Sequence, residues 1–248
     1  MYTDFAHVYD LMMDDVPYAD WAQHYLTLLD KYGASKGKCV ECACGTGRLT
    51  VPLQKAGMKM TGVDLSSQML EIAMQRAREQ GCLIPFIHQN MCDLTVPSRV
   101  NAVLCTCDGV NYLTDKKQLS SFFAAAFKAL KPGGVLLFDV STPHKLRDVL
   151  GNGTRTYVSD SYSYIWNNMY SSKSARLQLD LTIFVKKENG LYEKLEEKQV
   201  QRAHSRDELT EALLQSGFTG VRFYGNMRMN APRENDLRWH VAAVKKMD

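Results

Sequence analysis

The stretch Val40-Glu41-Cys42-Ala43-Cys44-Gly45-Thr46-Gly47-Arg48 constrains this chain more than any other. Lys38 to Cys44 is apolar or small, with one acid and no helical period, which predicts a short buried strand. Gly45 and Gly47 break that strand into a tight turn, and Leu49 to Lys55 reads as the first turns of a helix. A strand, a Gly-x-Gly turn and a helix N-terminus together let backbone approach a flat ligand closely. Met58 to Val63 predicts the next strand, and it ends in Asp64, placed for two ribose hydroxyls. A dinucleotide-binding unit wants a third glycine further on, where this chain has Thr50. That residue argues against a pyrophosphate ligand and so against a nicotinamide-dependent oxidoreductase.

An acid, an apolar residue, a small residue, any residue, Gly, any residue, Gly: this order resembles the first motif of class I S-adenosylmethionine-dependent methyltransferases. The chain departs from it at Ala43, where glycine is usual. The resemblance implies that Glu41 sits near the methionine amino group of S-adenosylmethionine. It also implies that Ala43, Gly45 and Gly47 lie against this cofactor and that Asp64 holds its ribose. Leu65, Met69, Met91, Cys92, Asp93 and Cys107 join the cofactor site on the same ground, with the turn Asn90-Met91-Cys92-Asp93-Leu94 at the adenine. Phe5 to Asp10, then Pro17-Tyr18 and Trp21, resembles the N-terminal lid of glycine and aminosugar N-methyltransferases. That resemblance puts Tyr9 and Trp21 over the methionine end of the cofactor.

The length of 248 residues admits one large domain or two small ones, and the expectation is one methyltransferase domain with an N-terminal lid at 1–32. A net charge of +3 is too small to imply nucleic acid or an acidic membrane surface as a partner. No window reaches the roughly 20 apolar residues of a membrane span. The acids Asp4, Asp10, Asp14 and Asp15 are unlike a signal peptide, so a cytoplasmic protein is expected. Cys39, Cys42 and Cys44, with Cys105 and Cys107, raise the question of zinc. They lie in or at the end of apolar strands, where cysteine behaves as a small hydrophobe, and no second Cys-x-x-Cys knuckle exists. No metal is expected.

Along the chain, Asp20 is a candidate cap for a helix with Trp21, Tyr25, Leu28, Leu29 and Tyr32 on one stripe. Ser66 or Ser67 caps a helix that Gly81 ends, and Leu83 to His88 is a third strand. Val100 to Cys107 reads as a strand buried on both faces. Leu119, Phe122, Phe123, Ala126, Phe127 and Leu130 mark a helix, Lys131-Pro132-Gly133-Gly134 stops it, and Val135 to Val140 is strand five. From about Thr154 to Ala203 the period changes to two, with Leu177, Leu179, Leu181, Ile183 and Val185 alternating with a polar or mixed set. Lys187 to Gly190 is a hairpin turn, and Tyr157 to Tyr170 reads as a further strand. Ser205 to Glu208 is a capping box, and two late strands follow at Val221 to Tyr224 and Trp239 to Val244. The expected fold is α/β: a seven-stranded, mostly parallel Rossmann-like methyltransferase sheet with an antiparallel β insertion after strand five.

Methyl transfer from a sulfonium needs the acceptor atom held in line in a dry pocket, and a base only if the acceptor arrives protonated. His204 and His144 are the candidate bases, each equally readable as a satisfied surface histidine. Asp108, Asn111, Tyr112 and Trp166 are the candidate acceptor contacts. The acceptor is expected to be a small molecule, with nitrogen slightly preferred over oxygen; the absence of the Asn/Asp-Pro-Pro-aromatic run of enzymes that methylate base amines counts against DNA or RNA amines. The insertion is expected to be the acceptor lid; its aliphatic face suits the domain or a second copy of the chain, so a homodimer stays open. A non-catalytic sensor of S-adenosylmethionine is the alternative from another class.

Overall fold

The computed structural model describes residues 5–14 and 16–247. Apolar strands alternate with amphipathic helices from the start: α1 (Phe5–Met12), α2 (Tyr18–Lys31), β1 (Lys38–Cys42), α3 (Thr50–Lys55), β2 (Lys59–Asp64), α4 (Ser67–Glu79) and β3 (Phe86–His88). β4 (Val100–Cys105), α5 (Lys116–Ala129) and β5 (Leu130–Ser141) continue the pattern. Then come β6 (Gly153–Val158), β7 (Tyr162–Ser171), β8 (Arg176–Lys186) and β9 (Tyr192–Arg202). Last are α6 (Arg206–Gln215), β10 (Phe218–Tyr224) and β11 (Arg238–Lys245).

Seven strands form one sheet in the order β10-β11-β5-β4-β1-β2-β3. Neighbours from β3 to β5 pair in parallel; β11 is antiparallel to β5, and β10 to β11. Chain order reverses between β1 and β4, so the turns after these two strands splay apart and leave a crevice at the carboxyl end. Successive residues of each strand feed opposite layers. Val40, Cys42, Val103, Cys105 and Phe138 pack with Phe122, Phe123 and Leu209. Cys39, Ala102, Leu104 and Leu137 pack with Tyr25, Leu28, Leu29 and Leu53. The cysteines of β1 and β4 are therefore small apolar residues of a sheet buried on both faces.

Several boundaries differ from the sequence-based expectation. α2 starts at Tyr18, directly after Pro17, and Asp20 sits in its first turn instead of capping it. A negative charge there still complements the helix dipole. The residues before Pro17 hold a helix of their own, α1. Lys131 to Gly134 does not separate α5 from β5; Leu130 pairs with Val100 and Val135 with Ala102, so the four residues bulge out of the strand. Tyr157 to Tyr170 is not one strand but most of a hairpin, β6 and β7, turned at Ser159, whose Oγ donates to the Tyr162 carbonyl (2.8 Å).

β6 to β9 form a second, four-stranded antiparallel sheet, as the change of period demands. Its β8 buries Leu177, Leu179, Leu181 and Ile183. Leu181 and Ile183 pack with Ala6, Val8 and Met69, which fastens α1 and α4 to the inserted sheet. Leu177 and Leu179 pack with Leu146 and Ala203. The aliphatic face thus meets the rest of this chain, and the polar face of β8 points away from it. The buried polar residues registered opposite the β8 leucines come from the neighbouring strands: Asn168 of β7, and Glu197 and Gln201 of β9.

Candidate functional site

The glycine turn is shaped by backbone alone. Ala43, Gly45 and Gly47 all have positive φ, at 53°, 53° and 74°, and Ala43 takes this value despite its Cβ. A Cβ at Gly45 would meet nothing within 4 Å, so the turn faces open space. The Gly45 N–H donates to Asp64 Oδ2 (2.8 Å) and the Ser66 N–H to Asp64 Oδ1 (2.9 Å). Those two amides lower the Asp64 pKa, but burial outweighs them and raises it. Ser66 also caps α4, accepting from Met69 N at 3.3 Å. Leu65, next in the chain, has 65% of its surface exposed.

Glu41 lies below the turn and is 1% exposed. Its Oε2 accepts from Thr50 Oγ1 (2.5 Å) and its Oε1 from Thr106 Oγ1 (2.8 Å). Burial pushes its pKa up to about 7 against these two hydrogen bonds. Each oxygen keeps a lone pair for a further donor. Thr50 is therefore more than the absence of a glycine: it is a partner of the buried acid.

An N-terminal clamp holds α1 on the turn. Asp10 accepts from Thr46 Oγ1 (2.7 Å) and Arg48 Nε (3.0 Å), and its other oxygen pairs with Arg76. Arg76 Nε donates to the Thr46 carbonyl (2.9 Å), closing the loop between α1, the turn and α4. Tyr9 on α1 is brought among Tyr18, Cys107 and Tyr112; burial and then those neighbours push its pKa up. Trp21 is packed between the Arg238 guanidinium, 4.9 Å from its ring, and the edge of His240.

On the other side of the crevice, β4 turns into Cys107 and Asp108, both at positive φ. Burial favours neutral Asp108, yet Arg238, Lys145 and the Ser141 hydroxyl hold it down at about 2. Asp139 is fully buried and accepts from Tyr25 Oη (2.9 Å), Cys107 N (2.8 Å) and Asp108 N (3.0 Å). Arg238 bridges Asp108 and Asp139, and their negative charge raises its pKa in spite of burial. Asp139 and Arg238 are 99 residues apart in sequence, and no local pattern announces their contact.

Asn111 does not face an acceptor. It is fully buried, with Nδ2 donating to the Ser141 and Arg202 carbonyls and Oδ1 accepting from Ser141 N (2.8 Å). Tyr112 Oη donates to Gln199 Oε1 (2.7 Å), a second stitch from this turn to β9. His204 is a third. It is fully buried, its Nε2 lies 3.2 Å from the Val110 carbonyl and its Nδ1 3.1 Å from the Arg202 guanidinium. Both ring nitrogens are committed inside the protein, so it is not placed as a base. His144 is half-exposed and pairs with Asp148 (3.0 Å) on a helical turn leading away from β5.

Met91 and Cys92 line a short helical turn at the end of β3, and Asp93 is exposed there. The Cys92 amide is committed to Asn90 Oδ1 (2.9 Å) and the Asp93 amide to the Asn90 carbonyl (3.0 Å). Met69 lies buried under α1, and Trp166 packs on the inner face of the inserted sheet.

Residues 39–134 match a family described as a methyltransferase domain. A protein named as a methyltransferase in Geobacillus sp. (strain WCH70) is 34% identical over 245 residues, 98% of this chain and 99% of its own. YqeM of Bacillus subtilis (strain 168), also named as a methyltransferase, is 33% identical over 99% of this chain and 97% of its own. The solved structure of an S-adenosylmethionine-dependent methyltransferase from Clostridium acetobutylicum ATCC 824 is similar with a TM-score of 0.89 and 27% identity, covering 100% of this chain and 99% of that one. An amino pentose methyltransferase from Micromonospora echinaspora shares the fold at 18% identity and a TM-score of 0.76, over 96% of this chain and 97% of that one. With the parallel sheet, the glycine turn and Asp64 at the second strand end, these likenesses make this chain a member of the class I S-adenosylmethionine-dependent methyltransferases.

Proposed function

We propose that this enzyme methylates a nitrogen of a small-molecule acceptor. The observation that carries this reading is enclosure. α1 and the inserted sheet pack on each other and on α4, closing over the carboxyl end of the parallel sheet. A covered crevice admits a small molecule and not a duplex. The preference for nitrogen is supported by fold relatives named as a sugar N-methyltransferase and an amino pentose methyltransferase.

The residues present fit S-adenosylmethionine: open space over Gly45, a carboxylate at Asp64 for a diol, and an exposed apolar side chain at Leu65. When bound, the cofactor supplies an electrophilic methyl group on a sulfonium sulfur. Glu41, with a lone pair left on each oxygen, is the buried anion available to the amino group of a ligand at the turn. Tyr9, carried by α1, covers the site and excludes water. The protein's own contribution is therefore positioning and desolvation.

Calorimetry tests the cofactor site: S-adenosylmethionine binds at micromolar levels, roughly −8 kcal/mol, and a nicotinamide dinucleotide does not. Asp64→Ala weakens binding by about 1.5–3 kcal/mol, the range for a hydrogen bond to a charged group. Labelled methyl transfer into metabolite pools then identifies the acceptor. Nicotinamide binding without sulfonium binding overturns the reading.

A further inference from the structure

The inner face of the inserted sheet carries three buried polar atoms with no hydrogen-bond partner: Trp166 Nε1, Glu197 Oε1 and Asn168 Oδ1. Trp166 and Glu197 lie in one row across three strands, since both are registered opposite Leu181 of β8, from β7 and from β9. Asn168 occupies the next row, opposite Leu179. Leu179 and Leu181 are buried against the rest of the chain, so all three atoms face inward. A donor and two acceptors left unpaired in a dry interior are costly, and neighbouring ones call for a ligand.

Strand β9 runs along the wall of the crevice. Gln199, on the same face as Glu197, takes the hydroxyl of Tyr112 from the turn after β4. Leu195, on the other side, packs with Val8, Tyr9 and Met69. Glu197 sits between these two anchors, 7% exposed and without an ion pair among the described residues. Tyr164, Leu181 and Ile183 pack together on this face.

We propose that Glu197 and Trp166 bind the methyl acceptor, and that the acceptor is a small primary or secondary amine with a hydroxyl or carbonyl oxygen beside the nitrogen. This rests on the methyl-transfer reading above. The carboxylate pairs with the amino group, the indole N–H donates to the neighbouring oxygen, and Asn168 Oδ1 accepts from a hydroxyl. An ammonium has no lone pair, so it must lose a proton before it can take a methyl group. Glu197 is the group on this face that can receive it, and burial is the leading influence on its pKa, raising it. The nitrogen regains its lone pair, and the surplus proton leaves Glu197 for solvent once the product has gone.

The test uses matched probes on the full chain saturated with the demethylated cofactor product. Ethanolamine is compared with ethylene glycol, glycine with glycolate, and 2-amino-2-deoxyglucose with glucose, each by its shift in melting temperature. At least one amine raises the melting temperature more than its hydroxyl counterpart, and Glu197→Gln abolishes that difference. For the responding amine, Glu197→Gln lowers kcat/KM of labelled methyl transfer by about tenfold to a hundredfold, as for a lost hydrogen bond between charged groups, and leaves product affinity unchanged. Trp166→Phe keeps the preference for amines and weakens the response to each of them. No amine preference in the wild-type chain, or a preference that survives Glu197→Gln, overturns the proposal. If Glu197→Gln fails to fold, the wild-type pairs and Trp166→Phe decide it. A demethylated product that itself leaves the melting temperature unmoved means instead that the cofactor reading has failed.

Discussion

The Thr50 hydroxyl donates to Glu41 Oε2 across 2.5 Å, from the position where a dinucleotide fold carries its third glycine. The hydroxyl is half of what keeps a fully buried carboxylate tolerable, with Thr106 supplying the other half. Thr50→Val preserves shape and removes the donor. Urea unfolding at pH 8 is expected to show a loss of about 1–3 kcal/mol, the cost of an unpaired buried group. The loss is smaller at pH 5, where Glu41 is protonated. An equal loss at both pH values rules out the carboxylate as the partner that matters.

Glu41 also sets a pH dependence. Its pKa in the folded chain, about 7, lies above the ordinary value of 4.5, so the native state holds the proton more tightly than the unfolded chain. Stability from this group is therefore greatest below pH 4.5 and falls as pH rises to 7, by up to about 1.4 kcal/mol per unit. Glu41→Gln flattens that slope. Denaturant melts of both proteins between pH 5 and pH 8 measure the difference, and parallel curves exclude this assignment.

Asp10 ties α1 to Thr46, Arg48 and Arg76. These ion pairs are partly exposed, so Asp10→Ala lowers global stability by no more than about 1 kcal/mol. Its main effect is local. Hydrogen exchange in residues 6–13 accelerates, and affinity for S-adenosylmethionine falls because the lid no longer rests on the turn. Unchanged exchange in α1 means that packing on Leu181 and Ile183 is sufficient to hold it.

Arg238 lies between Asp108 and Asp139, and without it only Lys145, 3.8 Å from Asp108, would offset two buried carboxylates. Arg238→Met is expected to cost about 3–5 kcal/mol, the range for breaking a buried pair by removing one partner. Adding Asp139→Asn recovers part of that loss, since it removes one of the stranded charges. A double-mutant cycle in urea reads the coupling. Strict additivity shows that Arg238 and Asp139 do not interact.

The parallel sheet, its glycine turn and Asp64 were legible in sequence because each depends on a few consecutive residues. Apolar runs of β length, two glycines at a strand end and an acid at the next strand end carry their meaning locally. The switch of period after Thr154 announced the second sheet in the same way. Local residues could not decide which side chains would meet. Asn111 and His204 look like site residues at the carboxyl end of a sheet, yet the fold spends all their hydrogen bonds on Ser141, Arg202 and Val110. Glu197 looks like one more charge in an acidic, basic strand, Glu193 to Lys198. Only its register opposite Leu181 shows that it points inward, because the two faces of a strand differ by one residue and the packing of the whole sheet chooses between them.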